Sequence, residues 1–302
     1  MNNVSLSIII VNYNTRVILD ECLGSIFKNP FHGNFDVIVV DNASKDESLE
    51  LVREKYPQVK TIKNEKNLGF AKATNVGIKI SRGSYVLLLN SDAEVLDDSL
   101  NKMFDYMETN PSVGIVGPKL IGAAGKIIQM SWGWSPTILK ELLQKTFMPE
   151  HIAKYKFLQL VVKFLERKQR EVELVSGACM FIRREVLDIV GLLDENLFLY
   201  FEEPDFCIRV RRGGWKVIFL PSAEIMHKLG QTMARVGKET LVIYRSSQLY
   251  FYKKNNSKLQ QKLLGLFLLL KFSYLKLVKP ENTDFYDKVL DILHKFENKN
   301  LN

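Results

Sequence analysis

Residues 6–14 read LSIIIVNYN and residues 35–41 read FDVIVVD. Each is a short, continuous, β-branched run ending on Asn or Asp, the pattern of a strand buried on both faces. Between them Val17, Leu19, Cys22, Leu23, Ile26 and Phe27 recur at helical spacing. SKDESLELVREKY (44–56) opens on Ser44 with acids behind it, which predicts a helix capped by that serine. VKTIKN (59–64) is a third strand, GFAKATNVGIKIS (69–81) a helix and SYVLLLNSD (84–92) a fourth strand. This alternation predicts an α/β fold with a mostly parallel central sheet and helices on both faces. Such sheets bind ligands at the carboxyl ends of their strands, where strand order reverses. Polar clusters stand at three of those ends: Asn12-Tyr13-Asn14, Asp41-Asn42-Ala43-Ser44 and Asn90-Ser91-Asp92. One such cluster is an ordinary cap or turn; three at equivalent ends of one sheet point to a site.

The composition agrees with a globular α/β protein. Of 302 residues, 46% are hydrophobic and 25% charged, which excludes a disordered tail or a fibrous repeat. Three cysteines (Cys22, Cys179, Cys207) without C-x-x-C spacing exclude a disulfide scaffold and a thiolate zinc site, and suit a reducing compartment. The net charge is +8, and the stretch 245–280 alone holds eight Lys and Arg and no acid. That is a near-neutral domain carrying a basic arm, not the spread charge of a nucleic-acid binder. The apolar run 6–11 is too short for a signal peptide and no basic residue precedes it. LLGLFLLLKFSYLKLV (263–278) is shorter than the roughly 20 apolar residues of a membrane span and contains Lys271 and Lys276. It reads as an amphipathic segment lying on a surface. The pattern sets residues 1–232 as the α/β domain, 131–172 as a helical insertion near the cleft, and 233–302 as a helical, basic C-terminal region.

Few residues suit chemistry. Asp92, with Asp41 at a neighbouring strand end, suits a hard cation such as Mg²⁺ or Mn²⁺; the alternative is that Asp92 or Asp97 caps the following helix. FEEPDFC (201–207) packs Glu202, Glu203 and Asp205 beside aromatic residues. Like charges in apolar surroundings raise carboxyl pKa values, giving a candidate general base. The same acids would also suit a helix N-terminus. His227 is a packing or surface residue unless Asp92 holds a metal, in which case it is a further ligand. No Walker loop, dinucleotide fingerprint or nucleophile elbow is present; GAAGK (122–126) has the wrong spacing, and Cys179 and Cys207 lie in inert surroundings.

Seven segments in order resemble family 2 glycosyltransferases of the GT-A fold, in particular the bacterial rhamnosyltransferase-like branch. They are SIIIVNYNT (7–15), VIVVDNASKD (37–46), NLGFAKATNVGI (67–78), YVLLLNSD (85–92), VSGACMFIRREV (175–186), GLLDENLFLYFEEPDFCIRVRRGGW (191–215) and H-K-L-G (227–230). The resemblance implies transfer of a sugar from a nucleotide-diphospho-sugar, with dTDP-rhamnose the donor of that branch. The acceptor would be a glycan or lipid-linked hydroxyl in cell-surface polysaccharide synthesis. It implies that Val11, Asn12 and Tyr13 line the nucleotide pocket, that Asp41 with Asn42 reads the base, and that Phe70, Ala71 and Asn75 touch the nucleotide-sugar. Asn90-Ser91-Asp92 takes the place of the family's D-x-D motif, with Asp92 on the cation and His227 completing its ligands. Glu203, or Glu202, takes the place of the catalytic base, with Asp205 in the same motif. Gly177 and Ala178 flank the acceptor and Trp215 closes the site. The basic arm, interleaved with Leu264, Phe267, Leu268, Phe272, Tyr274 and Leu275, would hold a cytoplasmic enzyme on the inner face of the membrane through 241–279; the alternative is a helical cap packed on the domain with Lys on its solvent side, and no nucleic acid is expected as partner. A sugar nucleotidyltransferase is the competing enzyme class; Asn-Tyr-Asn-Thr after strand one replaces that class's Gly-rich basic loop. A non-catalytic sugar-nucleotide binder would not need the retained acids.

Overall fold

The computed structural model describes residues 4–122, 130–146, 149–228 and 239–298. Strands β1 (Leu6–Asn12), β2 (Phe35–Asp41), β3 (Lys60–Lys63) and β4 (Tyr85–Asn90) alternate with helices α1 (Arg16–Lys28), α2 (Ser48–Lys55) and α3 (Phe70–Ile80). All four strands pair in parallel: β3 on β2, β2 on β1, and β1 on β4. The chain steps from β1 outward to β3, then returns to the other side of β1 to form β4. The crevice between the ends of β1 and β4 is therefore the topological switch point.

The second half continues the sheet. After β5 (Ala93–Val95), α4 (Ser99–Thr109), β6 (Val113–Ile121) and β7 (Trp132–Gly133), three helices follow: α5 (Ile138–Thr146), α6 (Pro149–Lys154) and α7 (Lys156–Leu165). Next come β8 (Arg170–Glu171), β9 (Leu174–Val175), β10 (Cys179–Arg183), α8 (Arg184–Val190), α9 (Glu202–Arg212) and β11 (Lys216–His227). Sheet order is β3-β2-β1-β4-β10-β6-β11-β5, with β8 on β11, and β7 pairs β9 separately. β10 runs antiparallel to β4 and β6, while β11 runs parallel to β6. The sheet is mixed: β1–β4 are parallel to one another, and β6 and β11 are parallel to each other beyond the antiparallel β10.

Strand parity splits the core. Ile8, Ile10, Val37, Val39, Leu87 and Leu89 pack against α1, α2 and α4; Ile9, Val86, Leu88 and Ile182 pack against α3, α8 and α9. Both faces are apolar because both are covered, which is why these strands read as continuous hydrophobic runs. Burying each such Leu, Ile or Val is worth about 1.5–3 kcal/mol.

Helices α10 (Glu239–Asn255), α11 (Lys258–Val278) and α12 (Thr283–Asn298) close the described chain. Leu249, Phe251, Leu264, Leu268, Phe272, Val289 and Leu293 form their own cluster, which takes in Leu197 and Phe201 from the loop before α9. Ser257 caps α11 by accepting from the Gln260 N–H. Among the described residues no helix is long and apolar enough to cross a membrane. The boundary drawn at 232/233, the Leu229-Gly230 end of H-K-L-G, and most of GAAGK lie outside the described residues.

Two local expectations fail. Ser44 caps nothing: α2 starts at Ser48, and the Ser44 hydroxyl instead accepts from Asn12 Nδ2 and the Asn14 N–H. Neither Asp92 nor Asp97 caps α4, whose N-cap position is Asp98.

Candidate active site

The site is built at the ends of β1, β2 and β4. Asn12 is fully buried; its Nδ2 donates to Asp41 Oδ1 at 2.9 Å and its Oδ1 accepts from Thr15 Oγ1 at 2.5 Å. Asp41 Oδ2 accepts from the Ser44 N–H at 3.0 Å. Thr15 also reaches Ser91 Oγ at 3.1 Å, tying the first strand end to the fourth. Asn42 spends its amide on Asn67, on Gly69 O, on Asn64 and on the Leu68 N–H. It shapes the loop that delivers Gly69 and Phe70 to α3. Gly69 sits at φ +80°, and a Cβ there would lie 2.3 Å from Phe198 O, so only glycine allows this crossing.

Asp92 and His227 meet because of strand pairing. β5 follows Asp92 directly and pairs antiparallel with the end of β11, setting His227 opposite Ala93. The Lys228 N–H donates to Asp92 O, and His227 Nε2 lies 3.1 Å from Asp92 Oδ1. Both side chains are nearly buried. Among the described residues no cluster of three or more His, Cys, Asp or Glu forms a complete metal cage. One carboxylate oxygen and one imidazole nitrogen are ligand types that a divalent cation accepts, and a cation held by these two would take its remaining ligands from elsewhere.

The acidic cluster divides by environment. Glu203 rests against Gly177: a Cβ on that glycine would lie 2.6 Å from Glu203 Cγ and 2.7 Å from its Oε1. Burial raises the carboxyls of both Glu202 and Glu203 above the ordinary range. The Glu203 charge raises Glu202 further, whereas the N–H groups of Glu203 itself and Gly177 pull Glu203 back down. Glu203 keeps partial solvent access; Glu202 is buried, and its Oε2 has no partner among the described residues. One residue beyond Gly177, the Ala178 carbonyl accepts from the Asn90 N–H at 3.0 Å. Glu203 and Asp92 are thus linked by a short path: Glu203 on Gly177, Ala178 on Asn90, and Asp92 two residues on.

Several expected residues do other work. Asp205 is fully buried in bonds to Arg209 at 2.9 Å, Lys254 at 2.8 Å and Asn255 at 3.1 Å, so it anchors the C-terminal helices and is no base. Trp215 precedes Lys216, which pairs with Val113 at the amino end of β6; Arg183, opposite Tyr85 at the amino end of β4, lies over the indole. Trp215 is therefore at the far end of the sheet and closes nothing. Asn75 is buried, with its amide bonded to the Leu193 backbone and Glu195. Ala71 is fully buried, and the two Asp41 oxygens accept from Asn12 Nδ2 and from the Ser44 N–H. Val11, Tyr13, Phe70 and Asn90 retain exposure at the crevice.

Sequence reading missed the clasp on the loop before α9. Tyr200 and Phe201 stand at φ +71° and +69°, a conformation non-glycine residues rarely adopt. Tyr200 meets the Tyr244 ring of α10 edge-on and Phe201 meets it at a tilt, and Ser247 donates to Leu199 O. Asp194 accepts from Lys254 and Tyr250. Burial pushes the Asp194 carboxyl up, but hydrogen bonds from Lys254 and Asn196 win and hold it down at about 2. The only sequence signal was the pairing of acids in 191–205 with a C-terminal region poor in them.

Glycosyl transferase family 2 matches residues 7–190, so the chain belongs to that family and is a glycosyltransferase. Its architecture is the GT-A fold. It is 25% identical over 235 residues to N-acetylglucosaminyl-diphospho-decaprenol L-rhamnosyltransferase of Mycobacterium tuberculosis, covering 73% of this chain and 75% of that protein. It is 30% identical over 227 residues to the uncharacterized protein y4gI of Sinorhizobium fredii, where 73% of this chain spans only 24% of the larger protein. The mannosyltransferase PcManGT from Pyrobaculum calidifontis, solved with GDP-Man and Mn²⁺, superposes with a TM-score of 0.57 at 15% identity, covering 98% of this chain and 86% of that one.

Proposed function

We propose that the chain is an inverting, metal-dependent enzyme. It moves a sugar, L-rhamnose from a dTDP donor first among candidates, to a hydroxyl of a glycan or lipid-linked acceptor in cell-surface polysaccharide synthesis. The rhamnosyltransferase relative supports the sugar and the lipid-linked acceptor. The single observation that carries the mechanism is the path from Glu203 through Gly177-Ala178 to Asn90 and Asp92.

Glu203 takes the proton from the acceptor hydroxyl, whose oxygen bonds to the anomeric carbon as the diphosphate leaves from the opposite side. Proton removal of this kind contributes on the order of 10²–10⁴-fold. Its raised pKa makes it a stronger base than an exposed Glu. Glu202, Glu203 and Asp205 lie on one segment and cannot flank a sugar from both sides, which suits a single displacement with inversion. Asp92 and His227 would hold Mg²⁺ or Mn²⁺, which offsets charge growing on the leaving diphosphate. Val11, Tyr13, Phe70 and Asn90 line the donor crevice; Asn12, Asp41, Asn42, Asn75 and Ser91 fix its walls. Residues 1–232 form the catalytic unit with its insertion at 131–172, and 233–302 the helical region. That region holds the enzyme on the inner face of the membrane through 241–279, where basic and exposed apolar residues alternate.

The test is nucleotide release from a panel of nucleotide-sugars with Mn²⁺, followed by two variants. Glu203→Gln keeps Mn²⁺-dependent donor binding and loses transfer by about 10²–10⁴-fold. Glu202→Gln keeps transfer within a few-fold. Transfer at the normal rate by Glu203→Gln would remove the assignment.

A further inference from the structure

The insertion carries a surface that the glycosyltransfer chemistry does not use. Helix α7 is apolar on two opposite sides. Val162, Leu165 and Glu166 face inward: Val162 is fully buried, Leu165 packs on the sheet's core, and the Glu166 carboxylate accepts from the N–H and hydroxyl of Ser131. On the other side Phe157, Leu160 and Phe164, spaced i, i+3, i+7, are 73%, 67% and 69% exposed. Scattered exposed hydrophobics are ordinary, but three large ones in one stripe are not. Leu139, Leu142 and Leu143 make a similar exposed stripe on α5.

The charge around this stripe has one sign. Lys154, Lys156, Lys163, Arg167 and Lys168 are all exposed, and the only acid between residues 154 and 170 is Glu166, which is turned inward. A second copy presenting the same face would meet that ring of cations with repulsion. An anionic bilayer meets both features at once: acyl chains for the Phe and Leu side chains, headgroups for the cations.

We infer that the outer face of α7 is a membrane-contacting surface for anionic phospholipid, separate in sequence from 241–279. Its place in the fold gives it a purpose. The Ser131 carbonyl accepts from the Ser176 N–H beside Gly177, and Glu141 of α5 bonds Gln248 and Tyr252 of α10. The insertion therefore starts beside the Gly177-Ala178 loop and is fastened to the C-terminal helices, so lipid contact at α7 orients that loop toward the bilayer.

The test uses the full chain and two vesicle types, pure phosphatidylcholine and an equal mixture with phosphatidylglycerol. The variant Phe157→Ser/Leu160→Ser/Phe164→Ser alters only exposed positions, and its thermal melt reports retained fold. Partition onto the anionic vesicles falls at least tenfold relative to wild type. In a second arm Leu160→Trp, in vesicles containing brominated lipid, shows blue-shifted and quenched emission above the background of the native tryptophans. Unchanged partition of the triple variant, or unquenched Leu160→Trp emission on vesicles that still bind the protein, would overturn the inference and leave 241–279 as the sole contact. Loss of a dimer in sedimentation with vesicle binding unaltered would give the face to a second copy instead. Nucleotide release in solution is independent of these readouts, so their failure is distinct from failure of the proposed reaction.

Discussion

The first four strands and the helices outside the sheet use hydrophobic residues differently. In β1, β2 and β4 every Ile, Leu and Val except Val11 is buried, because α1–α4, α8 and α9 cover both faces. In α7 and α11 apolar residues fall on two sides, one packed and one exposed. Of the twenty large hydrophobics exposed among the described residues, fifteen lie in 139–164 or 259–278. The sheet spends its hydrophobicity on its own stability. The outer helices carry a surplus, and a surplus arranged in stripes signals an interface. The polar contacts follow the same division. Those at the strand ends organise a pocket, whereas those from α10 reach back to Asp194, Leu199 and Asp205 and hold the segment that carries Glu203.

If the strand ends are the chemical half of the molecule, the largest effect falls there. Asp92→Ala is expected to cut transfer by about 10²–10³-fold, the usual loss when a preorganised electrostatic group is removed. It also abolishes Mn²⁺-dependent donor binding by calorimetry while leaving the melting temperature nearly unchanged. Retained Mn²⁺ dependence would move the cation elsewhere.

If α10 belongs to the catalytic frame, breaking its anchor destabilises the whole chain. Asp205→Asn removes the buried counter-charge of Arg209 and leaves Lys254 with Asp194 alone, a change that costs about 1–3 kcal/mol. Denaturant titration should show this in a single cooperative transition. A separate early transition confined to the helices would show them to be an independent unit.

These two halves were not equally legible. Continuous strands ending on Asn and Asp gave the parallel sheet and its crevice directly, because a doubly covered sheet leaves no other pattern. Asp92 and the Glu202-Glu203 pair stand out from their own residue pattern, whereas the roles of His227 and Gly177 come from the resemblance; strand pairing sets His227 beside Asp92, and Glu203 at the start of α9 rests on Gly177. Asp205 and Trp215 belong to the matching motif in sequence yet lie apart from the crevice in space. Asp205 is on the inner side of α9, and Trp215 follows α9 at the opposite end of the sheet. Ser44 was given to a helix because capping and site residues have the same chemistry. The αL pair Tyr200-Phe201 had no signal, since neither residue prefers that conformation.

The smallest expected effect concerns the clasp at Asp194. Its carboxyl is held at about 2 against an ordinary 3.8, so it contributes stability fully present above 3.8 and lost as pH falls through about 2. Lys254→Met removes a partner, raises that carboxyl's pKa and moves the acid-unfolding midpoint to higher pH by circular dichroism. An unmoved midpoint would show that Lys254 does not set it.

The account rests on a cation and a proton acceptor sharing one crevice. Crystals grown with Mn²⁺ and thymidine diphosphate, measured at the manganese absorption edge, test it most directly. The predicted anomalous peak lies against Asp92 and His227, with the Glu203 carboxylate opening onto the space beside the bound diphosphate. A peak away from that pair, or a Glu203 side chain walled off from the diphosphate, would contradict it.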